Sequence, residues 1–248
     1  MNKALENYIK NYDMTDQDIK YKYNHSYRVM KNSEYLSNKL NLSKTDKELA
    51  KIIGLYHDIG RFEQDKRYNS FNDKKTFDHG DYGVEILFKQ NLIKQIPIKE
   101  KYYHIIEKSI KNHNKYKIED NLTKEELTHA KLIRDADKID ILYAASQKLL
   151  TTKALDLTKD KTTIRNEIKE EFYNNKQIKT SALLGKKTES EKIISYLALI
   201  FDLNYNESIK YILKNKIIDN FYNNLKNKEK YKEYFEYAKK YLKERIKC

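Results

Sequence analysis

The sequence predicts an all-α protein, on three observations. One proline (Pro97) and five glycines interrupt 248 residues, too few breakers for a strand-rich sandwich or barrel with many tight turns. Apolar residues recur at spacings of three and four along most segments, the period of an amphipathic helix. Hydrophobic residues make up 39% of the chain and charged residues 35%, which provides a substantial core under a solvated surface and lacks the low apolar content of a disordered chain.

The elements follow in order. Residues 17–40 read as one helix, with Val29, Leu36 and Leu40 on a shared face. Thr45 and Glu48 form a capping-box pattern that starts a second helix. That helix turns Leu49, Ile52, Ile53 and Tyr56 inward and is expected to stop near Gly60. Residues 61–78 are polar and irregular and read as a loop of the kind that gates a site. Helices are expected at about 80–90, 98–113 and 124–150. A mixed stretch follows over 151–190, with a helix around 162–174 and a loop "KTSALLGKKTES". The chain is again helical over 190–247, where Leu197, Leu199, Ile200 and Phe201 are the most apolar run. We expect a core over 1–150 and a helical C-terminal extension over 151–248, packed together as one globular unit, with the junction near 151–160. No internal repeat stands out.

Composition excludes several classes. No run of about 18 apolar residues exists, so no membrane span or membrane partner is expected. The N-terminal stretch lacks a signal-peptide core, and the single cysteine, Cys248, excludes a disulfide framework. A cytoplasmic location is the expectation. The formal net charge is +13. The lysines are dispersed rather than clustered, which is a weak footprint for nucleic acid and is not favoured as such, although a positive surface attracts phosphate-bearing substrates. The oligomeric state is not legible.

The polar residues on apolar faces carry the chemistry. His25 shares the face of Val29 and Leu36. His57 and Asp58 end the second apolar helix, His79 lies at a helix start, and His113 continues the stripe Ile98, Tyr102, Ile105, Ile106 and Ile110. His104 falls on the opposite face with Lys101, Lys108 and Lys111, and His129 lies off its inward stripe, so neither is a candidate. In "LIRDADKIDIL" Asp137 falls on the stripe of Ala130, Ile133, Ile141 and Ala144, while Asp135 is expected to face outward. Asp140, three residues after Asp137, is placed as its supporting partner. Histidines and aspartates thus project inward from several helices. Buried carboxylates are costly unless paired or bound to metal. This residue set suits Zn, Mn or Fe(II) and, with more oxygen ligands, Mg. A set of satisfied core polar residues is the competing reading, and no local HExxH spacing is present.

The order His25 … His57-Asp58 … Asp137, with "HSYRV" at 25–29, "HDIGRF" at 57–62 and "RDADKIDIL" at 134–142, resembles the HD-domain metal-dependent phosphohydrolase superfamily. The resemblance covers about residues 20–150 and implies an all-α HD-domain helical bundle. It implies that His25, His57, Asp58 and Asp137 bind one divalent ion. His79 and His113 fall where the cyclic-nucleotide phosphodiesterase-like branch has additional ligands. The spacing is similar to that of the HD-GYP phosphodiesterases, which bind a second ion. The chain departs from them in "NHN" (Asn112, His113, Asn114), where they carry paired histidines, and in lacking a GYP segment. The extension resembles the C-terminal part of bacterial HD proteins.

The resemblance therefore implies one or two ions (Mn, Fe, Zn, Mg, Co or Ni), with Asp58 bridging them and a metal-activated water as nucleophile. Arg61, Lys115 and Lys138 are the candidate phosphate contacts, Arg61 and Lys138 also stabilising charge in the reaction. Arg28 is expected to form a structural ion pair or to orient a ligand. Phe62, Tyr68, Phe71 and Phe77 are candidates for a lid over a nucleotide. The expected function is hydrolysis of phosphate esters, favouring a phosphodiester of a nucleotide or cyclic nucleotide. The alternatives are a nucleotide phosphatase or pyrophosphohydrolase, and a non-catalytic nucleotide- or nucleic-acid-binding protein with a structural metal.

Overall fold

The computed structural model describes residues 2–159, 163–179 and 186–247. Helices and their connections make up these residues, and no strand occurs among them. None of the described helices is long and apolar enough to cross a membrane. The chain divides into two compact units, Met1–Asp137 and Lys138–Cys248.

The first unit holds α1 (Asn2–Ile9), α2 (Gln17–Lys39), α3 (Lys44–Tyr56), α4 (Gly60–Tyr68), α5 (His79–Val84), α6 (Tyr103–Asn112) and the part of α7 (Lys124–Ser146) up to Asp137. α2 lies along α3. Their contact is close at Gly54, where a Cβ would meet Ser33 Oγ at 2.6 Å and Met30 Cα at 2.9 Å. Leu36, Leu49, Leu55, Phe62, Leu87, Ile106 and Ile133 are among the fully buried residues of the core. A π-helical turn, Glu85–Lys89, extends α5, and a 3-10 turn, Glu100–Tyr102, leads into α6.

Several helix boundaries differ from those the sequence predicts. Ser43 caps α3, accepting from the Asp46 N–H at 3.1 Å, so the pattern at Thr45 and Glu48 does not start the helix. A capping box does form at Thr123 and Glu126, at the head of α7. Gly60 does not stop a helix. α3 ends at Tyr56 and Gly60 opens α4. Its lack of a side chain serves packing instead, because a Cβ there would lie 2.3 Å from the His79 carbonyl. Half of the expected loop 61–78 is therefore helix α4. Its sequence, GRFEQDKRY, hides this because the buried face is built from Phe62, Gln64 and Asp65 rather than from aliphatic residues. Asn69, with φ 47°, ends it in the left-handed conformation that asparagine tolerates.

α7 corrects two assignments. Asp135 is fully buried rather than outward, and His129 is buried rather than off the inward face. The helix is enclosed nearly all round over Ile133–Ala136, so a one-sided periodicity does not describe it.

The second unit holds the remainder of α7, then α8 (Asn166–Tyr173), α9 (Glu189–Leu197), α10 (Asn206–Lys214), α11 (Ile217–Asn223) and α12 (Lys232–Arg245). Part of the helix expected at 162–174 and of the loop "KTSALLGKKTES" lies outside the described residues. α12 packs on α9, α10 and α11. Phe172 sits among Tyr173, Phe201, Tyr234 and Tyr237, with ring centroids 5.0–5.9 Å apart. α9 starts at a capping box, Thr188 with Glu191. Glu191, fully buried, also takes the Arg165 guanidinium at 2.7 Å through both oxygens. Burial alone would raise the Glu191 carboxyl, but Arg165 and the N–H groups of Thr188 and Arg165 hold it down to about 2.

Candidate metal centre

Four histidines and two aspartates from five helices and their ends meet inside the first unit. His25 comes from the middle of α2, the adjacent pair His57 and Asp58 from the turn between α3 and α4, His79 from the first position of α5, His113 from the end of α6, and Asp137 from α7. His25, His57, Asp58, His79 and His113 are each at most 3% exposed, and the Asp137 side chain is 15% exposed. Helical periodicity turns His25, His113 and Asp137 inward, and His57, Asp58 and His79 lie at the helix ends the sequence marks.

Asp58 stands between two imidazole pairs. Its Oδ2 lies 3.5 Å from His25 Nε2 and 3.7 Å from His57 Nε2. Its Oδ1 lies 3.2 Å from His79 Nε2 and 3.5 Å from His113 Nε2. Asp137 Oδ1 closes the first group, 3.2 Å from His25 and 3.6 Å from His57. Within the pairs, Nε2 faces Nε2 at 3.2 Å for His25 and His57 and at 3.0 Å for His79 and His113.

The far sides of three rings decide what the near sides offer. His57 Nδ1 is 2.9 Å from the Gly54 carbonyl, and His113 Nδ1 is 2.6 Å from the Ile110 carbonyl. His79 Nδ1 is 2.7 Å from Asp73 Oδ2. A carbonyl or carboxylate oxygen only accepts, so each Nδ1 carries the proton and donates. In the neutral imidazole Nε2 is then a bare lone pair. Burial pushes His113 down to about 4, which keeps it neutral at pH 7. The Nε2 lone pair of His113 therefore points at His79 Nε2 and at Asp58 Oδ1.

Such a set of acceptors repels itself unless a cation sits among them. Four ligands about 2.0–2.1 Å from one ion lie about 3.3 Å from each other in a tetrahedron, and the separations here run from 3.0 to 3.7 Å. His25, His57 and Asp58, and separately Asp58, His79 and His113, form groups able to hold an ion. The residues present thus fit divalent metal. Asp58 and Asp137 are held well below the usual carboxylate range. Burial opposes this and is outweighed by Lys22 and His57 around Asp58, and by His25 and His57 around Asp137.

A supporting layer fixes the ligands. Tyr21 stacks on His25 at 5.9 Å, and the Arg28 guanidinium lies 5.7 Å from the centre of the Tyr21 ring. Arg28 therefore reaches His25 through an aromatic ring. Buried Arg134 donates to the carbonyls of Asn112 (2.9 Å) and Lys115 (2.5 Å), pinning the turn that carries His113. Asp73 is gripped by Arg61 at 2.8 Å and Gln64 at 2.9 Å while it receives His79. Against the cost of burial, His79 and then Arg61 and Gln64 hold its carboxyl far below the usual range. Asp140 is buried on α7, one turn beyond Asp137.

The expected phosphate contacts are placed differently from one another. Arg61 reaches within 3.7 Å of Asp58 Oδ1 through Nε, while its Nη1 is taken by Gln64, the Phe71 carbonyl and Asp73. Lys115 is bonded to Asp78 at 2.7 Å and Asp81 at 2.8 Å. Lys138, 4% exposed, belongs to the second unit and bonds Asp202 at 2.7 Å. Lys115 and Lys138 thus each hold a carboxylate of their own unit. Of the lid candidates, Phe62 is fully buried against Tyr8 and Tyr12 and is core. Phe77 meets Tyr68 edge-on and lies tilted against Tyr82, and Tyr68 is 50% exposed. His104 is exposed and pairs with Glu126, and buried His129 pairs with Asp46, so neither joins the cluster.

Sequence reading missed Asp73, Gln64, Arg134 and Lys22. Asp73 and Gln64 lie in a segment read as gating loop, and only their hydrogen bonds show what they hold. Lys22, one turn before His25 on α2, lies with its ammonium 2.7 Å from Asp58 Oδ2. Its helical spacing from His25 was the available signal.

Residues 23–142 match the family model of the HD domain. This part of the chain is an HD domain. The match contains His25, His57, Asp58, His79, His113 and Asp137, and the all-helical fold agrees with it. HD domains are generally those of metal-dependent phosphohydrolases. No curated protein and no solved structure matches the chain.

Proposed function

We propose that this HD-domain protein is a metal-dependent phosphodiesterase acting on a nucleotide or cyclic nucleotide. One observation carries the proposal: the two oxygens of Asp58 are divided between two imidazole pairs. A single carboxylate that serves two ligand groups is the arrangement of a paired-ion centre. His25, His57, Asp58 and Asp137 would hold one ion, and Asp58, His79 and His113 the other. When bound, the ions would supply a water of lowered pKa and neutralise charge on phosphoryl oxygens.

The chain's own residues do the rest. The Gly54 and Ile110 carbonyls and Asp73 keep the protons of His57, His113 and His79 on Nδ1, so the inward nitrogens stay available as ligands. Arg61, 14% exposed at the edge of the cluster, supplies positive charge for a phosphate oxygen. The exposed ring of Tyr68 offers a face on which a base can stack. A small phosphate ester is the substrate class we assign, without naming the native metal.

The test is turnover of bis-p-nitrophenyl phosphate, then of a panel of nucleotides and cyclic nucleotides, by chelator-treated protein resupplied with Mn²⁺. Diester cleavage that EDTA abolishes and Mn²⁺ restores is the expected result. Hydrolysis confined to monoesters or to anhydrides would reassign it as a nucleotide phosphatase or a pyrophosphohydrolase. Metal binding without turnover of any of these would sink the enzymatic reading.

A further inference from the structure

Lys22 raises a question that the ligand set does not answer. Its ammonium is 2.7 Å from Asp58 Oδ2, the oxygen that faces His25 and His57. The Lys22 side chain is 13% exposed and the Asp58 side chain 4%. The ammonium also lies 5.2 Å over the Phe71 ring and 5.8 Å over Tyr21, and both rings favour a cation at that place. Among the described residues it is the one lysine or arginine nitrogen within 3 Å of Asp58, since Arg61 Nε stands at 3.7 Å.

A buried carboxylate without a counter-charge is strongly destabilising. Lys22 is the nearest cationic side chain to Asp58 among the described residues, closer than Arg61 Nε at 3.7 Å, and it offsets the carboxylate charge while no metal is bound. A divalent ion in the His25–His57 group would require the same oxygen and would repel the ammonium at short range.

We propose that Lys22 is a resident counter-cation of Asp58 that competes with the metal ion and so sets how tightly the first ion is held. It is a positioning residue and not a ligand. The proposal rests on the metal reading above and deepens it. It predicts a trade: Lys22 stabilises the metal-free protein and weakens metal binding by the same contact. The four-carbon stem can swing the ammonium off Asp58 without moving α2, because it is unbranched and partly exposed.

The test compares full-length wild type with Lys22→Met, which keeps the stem and removes the charge, and Lys22→Arg, which keeps the charge. Chelator-treated proteins are titrated with Mn²⁺ by calorimetry, and their melting temperatures are measured with and without Mn²⁺. Circular dichroism checks that helix content is unchanged. We expect Lys22→Met to bind Mn²⁺ about tenfold or more tightly, to melt lower than wild type without metal, and to recover most of that loss with saturating Mn²⁺. Lys22→Arg should stay within about threefold of wild type in affinity. Unchanged or weaker Mn²⁺ binding by Lys22→Met overturns the competition. Should neither protein bind Mn²⁺, the metal reading fails and the competition with it. Wild-type binding with equal binding by the variant fails this inference alone.

Discussion

Asp58 in the first unit and Glu191 in the second are both buried carboxylates, and their surroundings are opposite in kind. Glu191 is surrounded by donors: the Arg165 guanidinium on both oxygens and the N–H groups of Thr188 and Arg165. Its charge is matched within the unit. Asp58 receives Lys22 at one oxygen, has Arg61 Nε 3.7 Å from the other, and otherwise faces four imidazoles, of which His57, His79 and His113 donate from Nδ1 on the far side of the ring. Glu191 belongs to a closed ion pair that ties α9 to the segment before α8. Asp58 belongs to a set of acceptors that needs a further cation. A buried acid alone therefore does not mark a site; acceptors aimed at acceptors do.

Substitutions at the two carboxylates should separate these roles. The largest effect is expected for Asp58→Ala, which should cut Mn²⁺-dependent diester turnover by at least about 10³-fold while far-UV circular dichroism shows a folded protein. Turnover within tenfold of wild type would remove Asp58 from the centre. Next comes Asp73→Asn, which replaces the acceptor of the His79 N–H with a weaker one. A loss of about 10–100-fold in Mn²⁺ affinity or turnover is expected, seen by calorimetry and by initial rates. An unchanged affinity would mean that His79 needs no support.

On the other side of the comparison, Glu191→Ala should leave turnover within about twofold and lower the melting temperature by about 3–8 °C. A collapse of activity at unchanged stability would reverse the contrast drawn here. The smallest effect is a pH dependence. The Glu191 carboxyl is lowered from 4.5 to about 2 in the folded protein. A depressed carboxyl stabilises the fold above its unfolded value, and that contribution is lost as pH falls through the folded value. Chemical denaturation should therefore show wild type and Glu191→Gln converging in stability between about pH 4.5 and pH 2. Curves that stay parallel over that window would show that the ion pair does not set the carboxyl.

How far the sequence carried differs between elements in a physically intelligible way. α2 and α6 have one-sided apolar stripes, and the stripes place His25 and His113 correctly. α7 is enclosed nearly all round, so the same logic sends Asp135 and His129 to the wrong side. α4 buries Gln64 and Asp65, and its polar sequence hides a helix. Gly60 reads as a terminator locally, yet its role is the approach of α4 to the His79 carbonyl. Lys138 reads as a phosphate contact because it follows Asp137, and its bond to Asp202 at 2.7 Å is a contact that no local pattern announces.

By itself the sequence determined the helical class, the inward direction of His25, His57, Asp58, His79, His113 and Asp137, and the likeness to HD domains that residues 23–142 then bear out. These are matters of composition, of helix ends and of a period of 3.6 residues, all of them local. Only the tertiary structure decided which nitrogen of each ring faces inward, how the oxygens of Asp58 are divided, and that Lys22 and Asp73 belong to the centre. Those facts depend on hydrogen-bond partners far apart along the chain, 36 residues for Lys22 with Asp58 and 34 for His79 with His113. No local period encodes a contact of that range; it exists once the packing of the helices has brought the side chains together.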